Sequence, residues 1–362
     1  MCIAFFLWEH PQLPDLQLVA LFNRDEVLVR PTAASHFWQD QPCILGGRDL
    51  VAGGTWLCIS RHGRAAFLTN FRELRDMQRL GAPSRGALPV EFVTAAGDPE
   101  AFLEGLDSKA YPGFNLLGFD LSQGRMLYLC NKHEGQRGRL ARLPPGLHGI
   151  TNGHMDAGWP KVREGCRRLQ QLVDSGAFGS GGSGGSHCNG GIAGGSGAAG
   201  GRSDAAAAAA GGSGGGGGSS VPWEELFGLL SHDCLLEQNP ERLPATGYGP
   251  EFEAKVSGIF VQPVDTRWGP FGTRSKIVLA VWRDGRAELR EEYLTEHGTW
   301  QQAQHTFELC QCGGSGGCAG GGERGCGCGC SGAGASAGGH GGGASGPPEG
   351  QEAEKQARQP AG

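Results

Sequence analysis

The hydrophobic pattern of the chain begins with two apolar runs that are separated by a polar turn. Residues 1–6 and 18–22 are rich in aromatic, aliphatic and β-branched side chains, and the segment between them contains Pro11 and Pro14. Such runs, bounded by turn residues, predict two strands of a hairpin. The second run continues into Asn23-Arg24-Asp25-Glu26. The pattern therefore predicts that polar and charged groups gather at one place, where a buried strand ends.

The spacing of apolar residues also predicts the elements of the remaining chain. Short apolar runs predict strands at 43–47, 53–60, 64–70, 114–121, 125–131 and 149–152. Apolar positions spaced three and four apart predict helices at 85–96, 99–106 and 159–173. Beyond residue 220 the pattern predicts a helix at 222–236, a loop at 268–272, and strands at 259–261, 273–282, 287–294 and 305–309. This mixture of elements is typical of an α+β protein.

Two stretches of different composition interrupt the pattern, at residues 176–220 and 310–362. Gly, Ser and Ala dominate the first stretch and Gly and Cys the second, and the chain contains 67 glycines. Such segments bury too little apolar area to offset the entropy of ordering, so both are predicted to be disordered. Because the folded pattern resumes after the first stretch, we interpret it as an insertion in one domain, 1–175 and 221–309. The Cys-x-Cys spacings of the tail leave soft-metal binding as an alternative to plain disorder, but no metal site is predicted.

Charge and hydropathy limit the functional classes. The formal net charge is −6 and no basic stripe is present, which argues against a nucleic-acid partner. No stretch approaches the roughly 18 apolar residues that a membrane-spanning helix needs. The start of the chain also lacks the pattern of a secretory signal. We expect a cytoplasmic protein without a transmembrane segment, and the sequence leaves its oligomeric state open.

Cys2 is a candidate nucleophile if Met1 is removed, which small second residues generally permit. An N-terminal cysteine carries its own base, because an α-amine has a pKa of about 7.7–8.0. Arg24 would then lower the pKa of the thiol, and Asp25 would orient the ammonium. The alternative is that Cys2 is a small buried hydrophobic residue and that Arg24 and Asp25 form a structural ion pair.

Three further polar residues lie at predicted strand ends. Asn70 and Asn152 are candidate donors to an oxyanion, with an Asx turn as the alternative for each. Arg274 has the geometry to hold an anionic ligand through two hydrogen bonds. The alternative for Arg274 is a surface ion pair with one of the glutamates at positions 288, 291 and 292.

Several short motifs occur in an order that resembles the NRDE family, which includes the Transport and Golgi organization proteins. The motifs are Asn23-Arg24-Asp25-Glu26, Gly53-Gly54-Thr55-Trp56-Leu57, Thr69-Asn70-Phe71-Arg72, Gly149-Ile150-Thr151-Asn152, Trp159-Pro160-Lys161 and Gly272-Thr273-Arg274-Ser275. The resemblance implies a four-layer αββα sandwich similar to that of N-terminal-nucleophile hydrolases.

The resemblance also implies ligand handling linked to Golgi organisation, protein secretion, and haem and lipid homeostasis, with association to the Golgi or mitochondria. The ligand-binding residues that it implies are Asn23, Arg24, Asp25, Glu26, Trp56 and Arg274. We expect a pocket whose apolar lining is Phe5, Phe22, Trp56 and Phe67, with Arg24 and Arg274 at its mouth. Haem and acyl-CoA both fit this expectation, because each joins an apolar body to anionic groups. No cofactor is required.

The alternative function is a Cys2-dependent amidohydrolase that cleaves a C–N bond. Cys2 would be the nucleophile with a depressed thiol pKa, its amine the base, and Asn70 or Asn152 the oxyanion donor. Arg24 and Asp25 would tune these groups. The fold that the family implies supports this chemistry but does not decide the function.

Overall fold

The computed structural model describes residues 2–73, 81–132, 139–155, 157–179, 220–244 and 246–310. Most of the predicted insertion (180–219) and of the predicted tail (311–362) therefore lies outside the described residues, as do the tail cysteines from Cys312 onward. The described residues belong to one compact unit. None of the helices in these ranges is long and apolar enough to cross a membrane.

Groups of strands are separated along the chain by groups of helices. In chain order the strands are β1 (Cys2–Trp8), β2 (Leu16–Val27), β3 (Thr32–Phe37), β4 (Ile44–Asp49), β5 (Leu57–Ser60), β6 (Arg64–Asn70), β7 (Phe114–Asp120), β8 (Arg125–Cys130), β9 (Arg139–Arg142), β10 (Gly146–Ile150), β11 (Val264–Thr266), β12 (Gly269–Trp282), β13 (Arg286–Leu294) and β14 (Trp300–Glu308). The helices are α1 (Ala87–Thr94), α2 (Pro99–Gly105), α3 (Pro160–Asp174), α4 (Trp223–Leu230) and α5 (Pro250–Lys255).

The strands form two antiparallel sheets. The first has the order β10-β1-β2-β12-β13-β14, with β11 paired to β12, and the second has the order β3-β4-β5-β6-β7-β8-β9. The predicted hairpin is confirmed, since β1 pairs with β2 and Cys2 lies opposite Arg24. Every residue of β1 is buried, as expected for a strand whose sheet is covered on both faces.

Three apolar clusters separate the layers. Phe6 and Phe22 of the first sheet pack against Phe67 and Phe119 of the second, which forms the central core. The other face of the first sheet packs against α3 and α4. The other face of the second sheet packs against α1 and α2. The predicted four-layer αββα sandwich is therefore confirmed.

Several predicted boundaries were wrong because they rested on short local patterns. Residues 268–272, predicted as a loop, include the start of β12, and α4 ends at Leu230 rather than at residue 236. Residues 259–261 form no strand: they are apolar because Ile259 and Val261 are buried, not because they pair in a ladder. The strands β3, β9 and β11 and the helix α5 were not predicted.

The two ends of the predicted insertion meet. The backbone N–H of Ser220 donates to the carbonyl oxygen of Gly179 at 2.8 Å. Phe178 is buried in the core beneath α3 and α4, so the folded segment continues past residue 175. The chain thus leaves and re-enters the domain at the same point, as a loop insertion requires.

Gly165 allows α3 to pack closely on the first sheet. A Cβ atom there would lie 2.0 Å from Cζ of Phe5, so the Gly165→Ala variant forces Phe5 or the helix to move. We expect a loss of about 1–3 kcal/mol in the free energy of unfolding. Gly228 of α4 has open space around it, so Gly228→Ala is the matched control and should gain up to about 1 kcal/mol from helix propensity. Urea denaturation of both variants measures the difference, and equal effects would contradict the packing described here.

Candidate functional site

Strand alternation divides the Asn23-Arg24-Asp25-Glu26 segment between the two faces of the first sheet. Asn23 faces the helices, where its amide donates to the carbonyl oxygens of Leu230 and Ile259 at 2.8 and 3.0 Å. Asp25 shares that face and accepts a hydrogen bond from the Thr273 hydroxyl at 2.6 Å. Arg24 faces the second sheet. The polar and charged groups predicted to gather at one place are therefore divided between two faces, because successive side chains of a strand point to opposite sides.

Arg24 is held by the second sheet and not by its sequence neighbour. Its guanidinium lies 2.9 Å from a carboxylate oxygen of Asp49 and 3.2 Å from the hydroxyl of Thr32. It also lies over the ring of Trp56, at 4.3 Å from the centroid. The predicted Arg24–Asp25 ion pair is therefore wrong, and Asp49 is the partner.

Asp49 is shared by a second arginine. Arg30 donates two hydrogen bonds to its carboxylate, at 2.6 and 3.0 Å. Burial alone would raise the pKa of Asp49, but the hydrogen bonds from Arg30 and from the N–H of Ala52, with the charge of Arg24, hold it below its ordinary value. Asp49 also accepts from the N–H groups of Val51 and Ala52, so it fixes the turn after β4.

Arg274 reaches the same place from a β-bulge. The register of β12 against β2 shifts between Thr273 and Ser275, so Arg274 is the extra residue of the bulge. Bulges redirect side chains, and they occur often beside functional sites. The Arg274 guanidinium donates to the carbonyl oxygens of Val27 (3.4 Å) and Arg30, and to no carboxylate among the described residues.

The alternative role predicted for Arg274, an ion pair with a glutamate of β13, is wrong. Glu288 pairs with Arg290, Glu292 pairs with Lys276, and Glu291 accepts from Ser35 and Ser275. Arg274 is only 6% exposed. Burial, and next the charge of Arg24, lower its pKa to about 10.

We call Arg24, Arg30 and Arg274 the arginine cluster. Its acidic neighbours are Asp49 and the half-buried Glu26, whose carboxylate accepts the N–H of Val27. Trp56 contributes an unsatisfied donor, because its indole N–H is buried and has no acceptor within the part of the chain that the structure describes. A buried guanidinium without a carboxylate and a buried donor without an acceptor both favour an anionic or hydrogen-bond-accepting ligand.

An apolar rim lies beside the arginine cluster. It consists of four exposed side chains: Val29 (71% exposed), Leu50 (59%), Val51 (62%) and Trp268 (51%). Val29 immediately precedes Arg30, and Leu50 and Val51 follow Asp49 in the turn that Asp49 fixes. The N–H of Leu50 donates to the carbonyl oxygen of Pro31 at 3.1 Å, which joins the two segments. Gly269, next to Trp268, approaches Val29.

The predicted aromatic pocket does not exist as a cavity. Phe22 and Phe67 pack edge to face in the central core, with ring centroids 5.8 Å apart. Phe5 lies on the opposite face of the first sheet, against α3. Of the four predicted lining residues, Trp56 lies against the arginine cluster, beneath the Arg24 guanidinium. An apolar ligand body would therefore have to lie on the rim rather than inside the sandwich.

The residues predicted for the amidohydrolase are only partly brought together. Cys2 faces Arg24, but its thiol is buried, and burial raises its pKa rather than depressing it. Asn70 lies opposite Phe114 in the ladder, on the sheet face that packs against α1. The amide of Asn152 donates one of its two N–H groups to the carbonyl oxygen of Asn70 at 2.7 Å, which ties Asn152 to the end of β6.

The raised pKa predicts slow alkylation of Cys2. Cys234 is exposed and serves as an internal control. With iodoacetamide at pH 7, followed by peptide mass spectrometry, we expect Cys234 to be labelled at least tenfold faster, because the thiolate is the reactive form. Labelling of Cys2 as fast as Cys234 would contradict this structure and would favour the amidohydrolase.

The sequence reasoning missed Asp49 and the role of Arg30. Arg30 lies four positions after Glu26, so the sequence alone could have predicted that it lies close to Arg24. Asp49 had no local signal, because its pairing with Arg24 spans 25 positions and depends on how the two sheets pack.

The sequence is similar to one protein family and to several of its members. A family sequence model described as Transport and Golgi organisation 2 matches residues 1–182 and 216–296. The Transport and Golgi organization protein 2 homolog of Bos taurus is 33% identical over 185 residues, which cover 49% of this chain and 66% of the relative. Transport and Golgi organization protein 2 of Drosophila melanogaster is 27% identical over 196 residues, which cover 48% and 65%. The matched segment thus spans just under two thirds of these relatives.

Two solved structures are distantly similar. An N-acylethanolamine-hydrolyzing acid amidase ortholog of Caenorhabditis elegans is 10% identical, with a TM-score of 0.28 over 47% of this chain and 79% of that chain. The C2A mutant of a conjugated bile acid hydrolase of Clostridium perfringens is 8% identical, with a TM-score of 0.35 over 85% and 92%. The αββα architecture follows from the sheets and helices of this chain.

Proposed function

Because the chain belongs to the Transport and Golgi organisation 2 family, we propose that it binds and handles an apolar ligand with anionic groups, either haem or an acyl-CoA. The observation that carries the proposal is Arg274, a buried guanidinium at a β-bulge that has no carboxylate partner among the described residues. The ligand's propionate or phosphate groups would bind the arginine cluster. Its apolar body would lie along the apolar rim.

We place this activity in the cytoplasm, in association with the Golgi or mitochondria. It would serve the Golgi organisation that the relatives' names describe, together with protein secretion and haem or lipid homeostasis. The hydrolase alternative is not supported by the position of Asn70 or by the buried thiol of Cys2.

Binding titrations of the purified protein test the proposal. Haem is titrated by its Soret absorbance, and palmitoyl-CoA by calorimetry, with CoA alone and palmitate alone as controls. We expect the intact ligand to bind more tightly than either half, because the halves use different parts of the site. Failure of both haem and palmitoyl-CoA to bind would overturn the proposal. Equal affinity for CoA and palmitoyl-CoA would show that the acyl chain does not bind the apolar rim.

A further inference from the structure

A cavity of about 410 Å³ lies between α3, α5 and the segment that follows β6. The lining residues that matter here are Arg72, Trp159, Lys161, Arg163, Arg242 and Glu253. None of them belongs to the arginine cluster or to the apolar rim. The volume falls near the lower end of the roughly 300–1,000 Å³ that is usual for small-molecule sites.

The floor of the cavity carries buried polar groups with unused hydrogen-bonding capacity. Arg72 forms an ion pair with Oε1 of Glu253 at 2.5 Å, and the Thr246 hydroxyl donates to the same oxygen. Oε2 of Glu253 is buried and has no partner among the described residues. The Lys161 ammonium donates to the carbonyl oxygen of Val256 at 3.1 Å. An ammonium has three N–H groups, so two of them lack an acceptor in the described ranges.

The rim of the cavity is cationic. Arg163 donates to the carbonyl oxygen of Gly158, and Arg242 is exposed; neither pairs with a carboxylate in the ranges that the structure describes. With Glu237, which also lines the cavity, four cationic and two anionic side chains leave a surplus of two positive charges. Burial lowers the pKa of Lys161 to about 8, although the negative charges of Asp25 and Glu253 act to raise it. A bound anion would favour the charged ammonium.

We propose that this cavity binds a small hydroxylated acid, in which a carboxylate or phosphate lies next to a hydroxyl group. The acid group suits the rim arginines, which offer charge-assisted hydrogen bonds. The hydroxyl both donates and accepts, so one group satisfies Oε2 of Glu253 and the Lys161 ammonium together. An anion without an O–H group, such as sulfate, only accepts hydrogen bonds and therefore satisfies the Lys161 ammonium but not Oε2 of Glu253. A neutral alcohol leaves the positive charge of the rim unmatched.

Calorimetric titration with four probes tests the proposal: glycerol 3-phosphate, glycerate, sulfate and glycerol. We expect glycerol 3-phosphate or glycerate to bind about tenfold more tightly than sulfate, as one added charge-assisted hydrogen bond allows, with glycerol the weakest. The stronger of the two hydroxylated acids identifies phosphate or carboxylate as the preferred acid group. Equal binding of sulfate and glycerol 3-phosphate, or no binding of any probe at millimolar concentration, would overturn the proposal.

Variants locate the binding. The Arg163→Gln and Arg242→Gln variants change exposed residues, and each should weaken binding about fivefold, as for loss of a partly exposed ion pair. Arg167→Gln, one turn along α3 and outside the cavity, is the matched control and should leave the affinity unchanged. The Arg274→Gln variant should also leave it unchanged, which separates this site from the arginine cluster. Wild-type affinity in the Arg163→Gln/Arg242→Gln double variant would contradict the assignment.

Discussion

The Asp49→Asn variant should lose about 3 kcal/mol of unfolding free energy, because it leaves the buried Arg24 without its counter-ion. The side chains of Arg24 and Asp49 are 6% and 13% exposed, so water replaces little of the lost interaction. Breaking a buried ion pair usually costs about 3–5 kcal/mol. We expect the low end of that range, because asparagine keeps one oxygen that accepts from the N–H groups of Val51 and Ala52. Urea denaturation at pH 7 measures the loss.

Asp40→Asn is the matched control for this variant. Asp40 forms a two-hydrogen-bond pair with Arg48, as Asp49 does with Arg30, but the Asp40 side chain is 52% exposed, so the expected loss is below about 1 kcal/mol. The pKa of Asp49 is depressed in the folded protein, so its stabilisation should be complete above the unfolded pKa of about 3.9 and be lost as pH falls through the lower folded value. Equal losses in the two variants would contradict the burial of the Arg24–Asp49 pair.

The Arg274→Gln variant should weaken binding of haem or palmitoyl-CoA by about tenfold to a hundredfold. The estimate is the loss of a charge-assisted hydrogen bond of about 1.5–3 kcal/mol to an anionic group. Arg274→Lys keeps the charge but not the planar fork, so it should fall between the wild type and Arg274→Gln. Titration by Soret absorbance or calorimetry gives the three dissociation constants.

Arg48→Gln is the control for nonspecific charge effects, because Arg48 is a partly exposed arginine next to Asp49 on β4 and is not part of the arginine cluster. It should change the affinity less than about twofold, as screened surface charges contribute little. Thermal melts of all variants establish that each is folded. Unchanged affinity in folded Arg274→Gln would exclude the arginine cluster as the ligand site.

The parts of the fold that the sequence predicted are those encoded by long local patterns. The β1–β2 hairpin and α3 were visible because their apolar residues recur at the strand or helix period over many positions. Helix α5 has only six residues, too few to establish a period. Ile259 and Val261 resemble a strand because burial and strand pairing select the same residue types.

The candidate site was predicted in part for a similar reason. Arg24 and Arg274 were predicted as cationic groups that bind an anion, and the pairing of β2 with β12 brings them close together. The separation of Asp25 from Arg24 follows from strand alternation. Asp49 and the cavity at Lys161 and Glu253 depend on contacts between distant segments, which no local pattern encodes.

Native mass spectrometry of the protein purified from cells that express it naturally tests whether the arginine cluster binds a ligand. It reports the state of the N-terminus and any bound mass in one measurement, for the wild type, Arg274→Gln and Cys2→Ala. We expect a bound mass matching haem or an acyl-CoA in the wild type and Cys2→Ala, and its loss in Arg274→Gln. A bound mass that persists in Arg274→Gln, or no bound mass in the wild type, would overturn the proposed ligand site.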